Sequence, residues 1–265
     1  MIIPIPSKHN QFKLRVGIRA LQPFDLAVRC FDAGPPNTHF IRRRIPFSEA
    51  LVKGPSRGYR EFTLPFPLSP STLMVEFYDK WTGQDHNFKI ETFEVHKMEP
   101  HQVWAEPEIH RFIDFAQNFA LKAGYVPTGM YDSKDGEFLI QYLPHILDDA
   151  GQVMVTPART NRRTGRLQVA QIPFRTYTIP IRMMVLFHER YHYQIPTRLE
   201  KPADLHALKL YLDLGFPRTE ALYATTKIFL AHPESVGLAH AIRVRDAKAF
   251  IDDYSHKHQL QFNEA

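Results

Sequence analysis

Near residue 190 the chain reads Met183-Met184-Val185-Leu186-Phe187-His188-Glu189-Arg190-Tyr191-His192-Tyr193, an apolar run that ends in His-Glu-x-x-His. On an α-helix, residues four apart share a face, so the imidazoles of His188 and His192 point the same way and can hold one metal ion. Glu189 then stands beside that ion, where its carboxylate can take a proton from a water molecule on the metal. Zinc in a reactive site takes three protein ligands and keeps its fourth position for water, so a third donor is required. Glu200, Asp204 and His206 are the candidates that follow within reach. His206 is the least suited, because it lies about 200° around a helix from Asp204.

The elements that must position these residues can be read on either side. Thr178 is placed to cap a helix with Pro180 in its first turn, where a missing N–H does no harm. Residues 183–187 are apolar all round, which predicts a buried helix, and Pro196 ends it. His188 and His192 therefore fall in the last turns of a buried helix. A second helix is expected over Ala203 to Leu214, with Leu205, Leu208 and Leu212 as its buried stripe and Gly215 as its stop. Pro202 governs where it begins. A start at Thr197 would make Thr197-x-x-Glu200 a capping box, engage Glu200 with a backbone N–H and leave the proline at a costly interior position. A start near Lys201 leaves Glu200 just outside the helix and Asp204 in its first turn, so that either carboxylate could reach the metal. Thr219 is expected to cap a helix through Leu230, and a last helix runs from about Ser235 to His256.

His188-Glu189-x-x-His192 followed by Glu200-x-x-x-Asp204 resembles the gluzincin class of zinc peptidases. The eight-residue gap from His192 to Glu200, with Ala203-Asp204-Leu205-x-Ala207-Leu208-x-x-Tyr211-Leu212-x-x-Gly215-Phe216-Pro217 after it, also resembles small predicted metallopeptidases of tailed-phage genomes. The resemblance covers residues 174–230. It implies a zincin-like domain that binds Zn2+ and hydrolyses a peptide bond in a protein or peptide substrate. Carried over by position, it makes His188 and His192 ligands, Glu189 the general base, Glu200 the third ligand and Asp204 an acceptor behind a histidine, with Asp204 as the alternate ligand. Arg190 is charged where zincins carry an uncharged residue, and Tyr191 replaces a frequent glycine. Tyr191 and Tyr193 are candidates to stabilise an oxyanion, against the plainer reading that they pack.

The rest of the chain divides near residue 100. Before it the dominant period is two: Phe12, Leu14, Val16 and Ile18 alternate with polar or small residues, and similar runs follow at Phe24 to Cys30, His39 to Arg43, Tyr59 to Leu64, Leu73 to Tyr78 and Phe88 to Val95. Turn-forming breaks separate them. This pattern predicts an antiparallel β-sandwich over 1–100 without a convincing helix, suited to docking a protein partner. His86, His96 and His101 are read as surface or satisfied histidines. Residues 101–265 form the second domain, which makes the fold class α+β. Glu106-Pro107 opens a helix whose apolar stripe is Ile109, Phe112, Ile113, Ala116, Phe119 and Ala120, with Gly124 as its stop. Short strands are expected at Glu137 to Tyr142, Gly151 to Thr156 and Arg166 to Ile172. The last two would form a β-hairpin beside the metal helix, where a substrate backbone could add as a further strand.

With 265 residues, 44% of them hydrophobic, the chain can bury real cores. No apolar run is long enough for a membrane span, and Met-Ile-Ile-Pro-Ile-Pro-Ser at the start is not a signal peptide, so the expectation is a cytoplasmic or virion-associated protein with no membrane partner. Cys30 is the single cysteine, which excludes an internal disulfide and zinc held by cysteine clusters. The net charge of +5 is local, concentrated at Arg42-Arg43-Arg44 and at Arg159 to Arg166. The latter reads as the solvated tip of the hairpin, so a nucleic-acid partner is not expected. The rival reading of the whole is a non-catalytic interaction protein, a phage virion or assembly component, whose peptidase-like domain uses a metal only to hold its fold.

Overall fold

A computed structural model describes residues 1–99, 103, 105–195, 200–228 and 238–258. Helices and sheets follow one another as an α+β chain. The chain divides into two compact units, Met1–His101 with Gly215–Pro217, and Gln102–Leu214 with Arg218–Leu260. Among the described residues no helix is long and apolar enough to cross a membrane.

In the first unit a strand outside the expected runs, β1 (Ile2–Ile5), comes first, and the period-two runs become β2 (Phe12–Ala20), β3 (Phe24–Asp32), β4 (His39–Phe47), β5 (Tyr59–Phe66), β6 (Leu73–Asp79) and β7 (Phe88–Lys97). They form two sheets, ordered β1-β6-β3-β4 and β5-β2-β7, with every pairing antiparallel. Phe12, Leu14, Val16 and Ile18 are all buried, because alternate residues of a pleated strand face one side. Rings join the two sheets: Phe24 stacks on Phe88 at 5.4 Å and Phe77 meets Phe93 edge-on at 6.3 Å. Gly17 sits where a Cβ would lie 2.4 Å from the Tyr59 hydroxyl, and β2 shifts register against β7 beside it. Contrary to the helix-free expectation, Glu49–Lys53 forms a short helix α1, for which Ser48 accepts the N–H of Leu51. A local cap of this kind needs no periodic stripe, which is why the pattern does not reveal it. His86 and His96 are exposed, and His101 lies outside the described residues.

The second unit begins with α2 (Pro107–Lys122), whose buried residues are the six of the expected stripe. Four short strands follow: β8 (Gly129–Asp132), β9 (Leu139–Leu143), β10 (Ala158–Thr160) and β11 (Leu167–Ala170), in the order β10-β11-β9-β8. The β11/β9 pair is parallel and the others are antiparallel. The expected strand Gly151 to Thr156 does not form. Val153 makes only an isolated bridge to Leu147, and Val153 and Val155 are both 56% exposed. Upstream, Asp148 Oδ1 accepts the N–H groups of Ala150 and Gln152 and curls the chain into a turn. The strand that pairs with β11 lies beyond Pro157, and β11 itself stops at Ala170 because residues 171–176 turn into helix α3 (Gln171–Thr176).

The central helix α4 (Ile179–Gln194) is followed by α5 (Glu200–Asp213), α6 (Arg218–Tyr223), a π-helical stretch Ala224–Ile228 and α7 (Leu238–Lys257). Thr178 occupies the N-cap position of α4 without capping it, and its hydroxyl instead lies 3.5 Å from Glu220 Oε2. Thr219 lies within α6 rather than before it, because the helix already starts at Arg218. In α5 Leu205 is only half-buried, and the buried face is carried by Ala203, Asp204, Ala207, Leu208, Leu210, Tyr211 and Leu212. Pro196, Thr197, Leu230 and Ser235 lie outside the described residues.

Candidate metal centre

Helix α4 is surrounded by protein along most of its length: every residue from Ile179 to Arg190 is buried, and so is His192. Its orientation is set by Arg182, which is fully buried and donates to three backbone carbonyls, those of Ala120 (2.8 Å), Phe174 (3.1 Å) and Arg175 (3.1 Å). These oxygens belong to the last turns of α2 and α3, where a cation is favoured, and that of Phe174 also accepts the Tyr177 N–H. One guanidinium therefore joins three helices two turns before His188.

At the other end of α4 three donor atoms converge. His188 Nε2 and His192 Nε2 are 3.0 Å apart, and Glu200 Oε2 lies 3.4 Å from the first and 3.3 Å from the second. Among the described residues His188, His192 and Glu200 form a group whose donor atoms all lie within 4.8 Å of one another, and it could hold a metal ion. Glu200 reaches it from the first turn of α5, so the expected start near Lys201 is corrected by at least one residue and Pro202 falls within the first turn, where it breaks no helical bond. Asp204, one turn on, stands behind His188 rather than in the group: its Oδ1 is 3.0 Å from Nδ1, the outer ring nitrogen. Of the two carboxylates left open by the sequence, Glu200 lies with the donors and Asp204 lies behind the His188 ring at ion-pair distance.

Asp204 is itself held. Arg243 on α7 donates to it through Nε and through Nη2, the latter at 2.8 Å from Oδ1, and the same Nη2 lies 3.3 Å from Glu200 Oε2. The electrostatics follow from this packing. Burial opposes a charge on His188, but Asp204 and Glu200 outweigh it and push its pKa up to about 9. Burial likewise opposes ionisation of Glu200, and the two histidines outweigh it and hold the carboxyl well below the usual carboxylate range. Asp204 is also depressed: Arg243 and then His188 overcome its burial. Asp204→Asn is expected to keep the metal but with roughly 10- to 100-fold lower affinity, the usual effect of losing an outer partner of a ligating histidine. Competition against a chelator of known affinity checks this, and an unchanged affinity would remove Asp204 from the site.

Glu189 lines the same cavity, whose volume is about 300 Å³, as do both histidines, Glu200 and Arg243. Thr160 on β10 donates its hydroxyl to Glu189 Oε2 at 2.8 Å and lies 2.6 Å from the Glu189 carbonyl oxygen. Oε1 accepts no hydrogen bond from a described residue. From the β10/β11 tip, Arg162 Nη2 comes within 3.3 Å of His192 Nδ1. The tip is closed by Gly165, with φ +69°, and a Cβ there would lie 3.2 Å from the Tyr193 ring and 3.3 Å from Arg190 Nη1. The basic tip thus does not stand wholly in solvent, as the sequence reading has it: it packs on α4 and sends one arginine into the cavity.

No family model, curated protein or solved structure matches the chain. The geometry alone then decides which expected residues belong to the site. Tyr191 meets the His206 ring edge-on at 5.4 Å, and His206 is exposed away from the donors. Tyr193 lies under Arg190, whose guanidinium carbon is 4.8 Å from its ring centre and also packs over Phe112 and Phe138. Neither tyrosine lines the cavity, and Arg190 pairs with Glu108 on α2 instead. The tyrosines pack. The residues that sequence reasoning missed are Thr160, Arg162 and Arg243. The hairpin beside the motif and its arginine run were signals for the first two, whereas Arg243 sits on a helix with other basic residues and no mark of its role.

Proposed function

We propose that the protein is a gluzincin-like peptidase that hydrolyses peptide bonds with zinc held by His188, His192 and Glu200. The observation that carries this reading is the placement of the Glu189 carboxylate in the same cavity as the three converging donors, with one oxygen held by Thr160 and the other without a partner among the described residues. A donor set of two imidazole nitrogens and one carboxylate oxygen suits zinc and leaves a position open. Zinc bound there supplies Lewis acidity, polarising a carbonyl and acidifying water.

The chain's own residues do the rest. Glu189, which lines the cavity, takes the proton of the attacking water and returns it to the leaving nitrogen. Thr160 keeps the carboxylate turned toward the reacting atoms, since its hydroxyl binds both the side chain and the backbone of Glu189. Asp204 and Arg243 hold His188 and Glu200 in register, so that the donors need little rearrangement to receive the ion. Zinc added to chelator-treated protein is expected to bind in a one-to-one ratio and to bring on cleavage of unstructured peptides. Stoichiometric zinc with no cleavage of a broad peptide mixture would leave the metal as a fold stabiliser, and the absence of bound zinc would reject the reading altogether.

A further inference from the structure

The two histidines present different surroundings to their outer nitrogens. His188 Nδ1 faces the Asp204 carboxylate at 3.0 Å, whereas His192 Nδ1 faces the Arg162 guanidinium at 3.3 Å. A guanidinium has five N–H donors and no acceptor. Both Nε2 atoms point inward to the donor group, and a neutral imidazole that gives Nε2 to a cation carries its hydrogen on Nδ1. In that state the His188 N–H has a carboxylate beside it, but the His192 N–H meets another donor. Two N–H groups facing each other leave both unsatisfied, and a single acceptor placed beside them answers both.

The charges point the same way. No carboxylate of a described residue pairs with Arg162, whose hydrogen bond is to His192. Arg162 and Arg243 line the cavity with Glu189 and Glu200, and Asp204 lies just beneath. Once a divalent cation is added, positive charge is in excess, and an anion is drawn to the uncompensated arginine. A carboxylate matches a guanidinium in plane and in spacing of its two oxygens. We propose that Arg162 and the Nδ1–H of His192 form a carboxylate subsite beside the metal centre, so that the site selects substrates with a carboxylate close to the reacting bond. This inference rests on the metal-dependent hydrolytic reading and deepens it.

The test uses the full chain loaded with zinc and two small probes, glutarate and its monoamide, glutaramate. Each offers one carboxylate to the metal, and only glutarate has a second for Arg162. Calorimetric titration is expected to show glutarate binding about tenfold tighter than glutaramate, the scale of one charge-assisted pair. The difference should close in Arg162→Gln, while that variant binds zinc as tightly as the parent or more so, because the opposed donor is gone. Equal binding of the two probes by the parent, or a difference that persists in the variant, overturns the subsite. N-acetyl-Ala-Ala against its amide, and N-acetyl-Glu-Ala-amide against its Gln counterpart, then assign the carboxylate to a chain terminus or to a side chain. A difference in neither pair overturns the assignment to a peptide. Zinc binding and peptide cleavage without any probe preference would sink this inference alone, whereas failure to bind zinc would sink the hydrolytic reading with it.

Discussion

Glu189→Gln is expected to lower the rate of peptide hydrolysis by roughly 10²- to 10⁴-fold, the range supplied by a positioned proton acceptor, while zinc stays bound at the parent affinity. Glu189 is not one of the three converging donors, so its replacement leaves His188, His192 and Glu200 in place. Glutamine keeps the shape and can still accept the Thr160 hydroxyl through its amide oxygen, so the side chain holds its rotamer and only its basicity is lost. The two readouts must be taken together. Lost activity with zinc retained assigns the proton transfer to Glu189. Equal activity in variant and parent would reject it as the base, and loss of zinc from the variant would show that Glu189 holds the ion rather than the proton.

The second large effect concerns stability. Arg182→Met should cost the second unit about 3–5 kcal/mol, because each buried carbonyl that loses its donor costs about 1–3 kcal/mol. Methionine fills much of the volume but takes a buried donor away from the carbonyls of Ala120, Phe174 and Arg175, of which that of Phe174 keeps the Tyr177 N–H. Arg182→Lys should recover only part of the loss, since one ammonium cannot reproduce the planar fork. Chemical denaturation of the zinc-free protein, followed by a probe in the helical unit, measures both. A midpoint for Arg182→Met within experimental error of the parent would mean that the three helix ends are satisfied without it.

What could be read from the sequence follows the range of the forces involved. The stripe of α2 and the burial of residues 183–187 were legible because they repeat along one helix and need no partner to be recognised. The strands of the first unit were legible for the same reason with a period of two. Val153 and Val155 alternate just as well, yet no strand forms there, because a strand exists only where another one pairs with it. In the candidate site, His188, Glu189, His192 and Glu200 stood out by type and spacing. Asp204 was singled out too, but its place behind His188 rather than beside the donors depended on where α5 begins. Arg162 and Arg243 are ordinary arginines until chain folding brings a tip and a distant helix against the same cavity.

The donors His188, His192 and Glu200, together with Asp204, are carried by the adjacent helices α4 and α5, whereas Arg243, which clasps Asp204, comes 39 residues later in the chain. Closing a short stretch of chain costs little entropy, and chains fold from the N-terminus as they emerge during synthesis. The donors and the carboxylate behind them thus come from one local stretch of chain, whereas their clasp is a long-range contact. An ion held by the local donors leaves more slowly the more firmly α7 fixes Asp204, and because affinity is the ratio of leaving to entry, the last helix tightens metal binding without supplying a ligand.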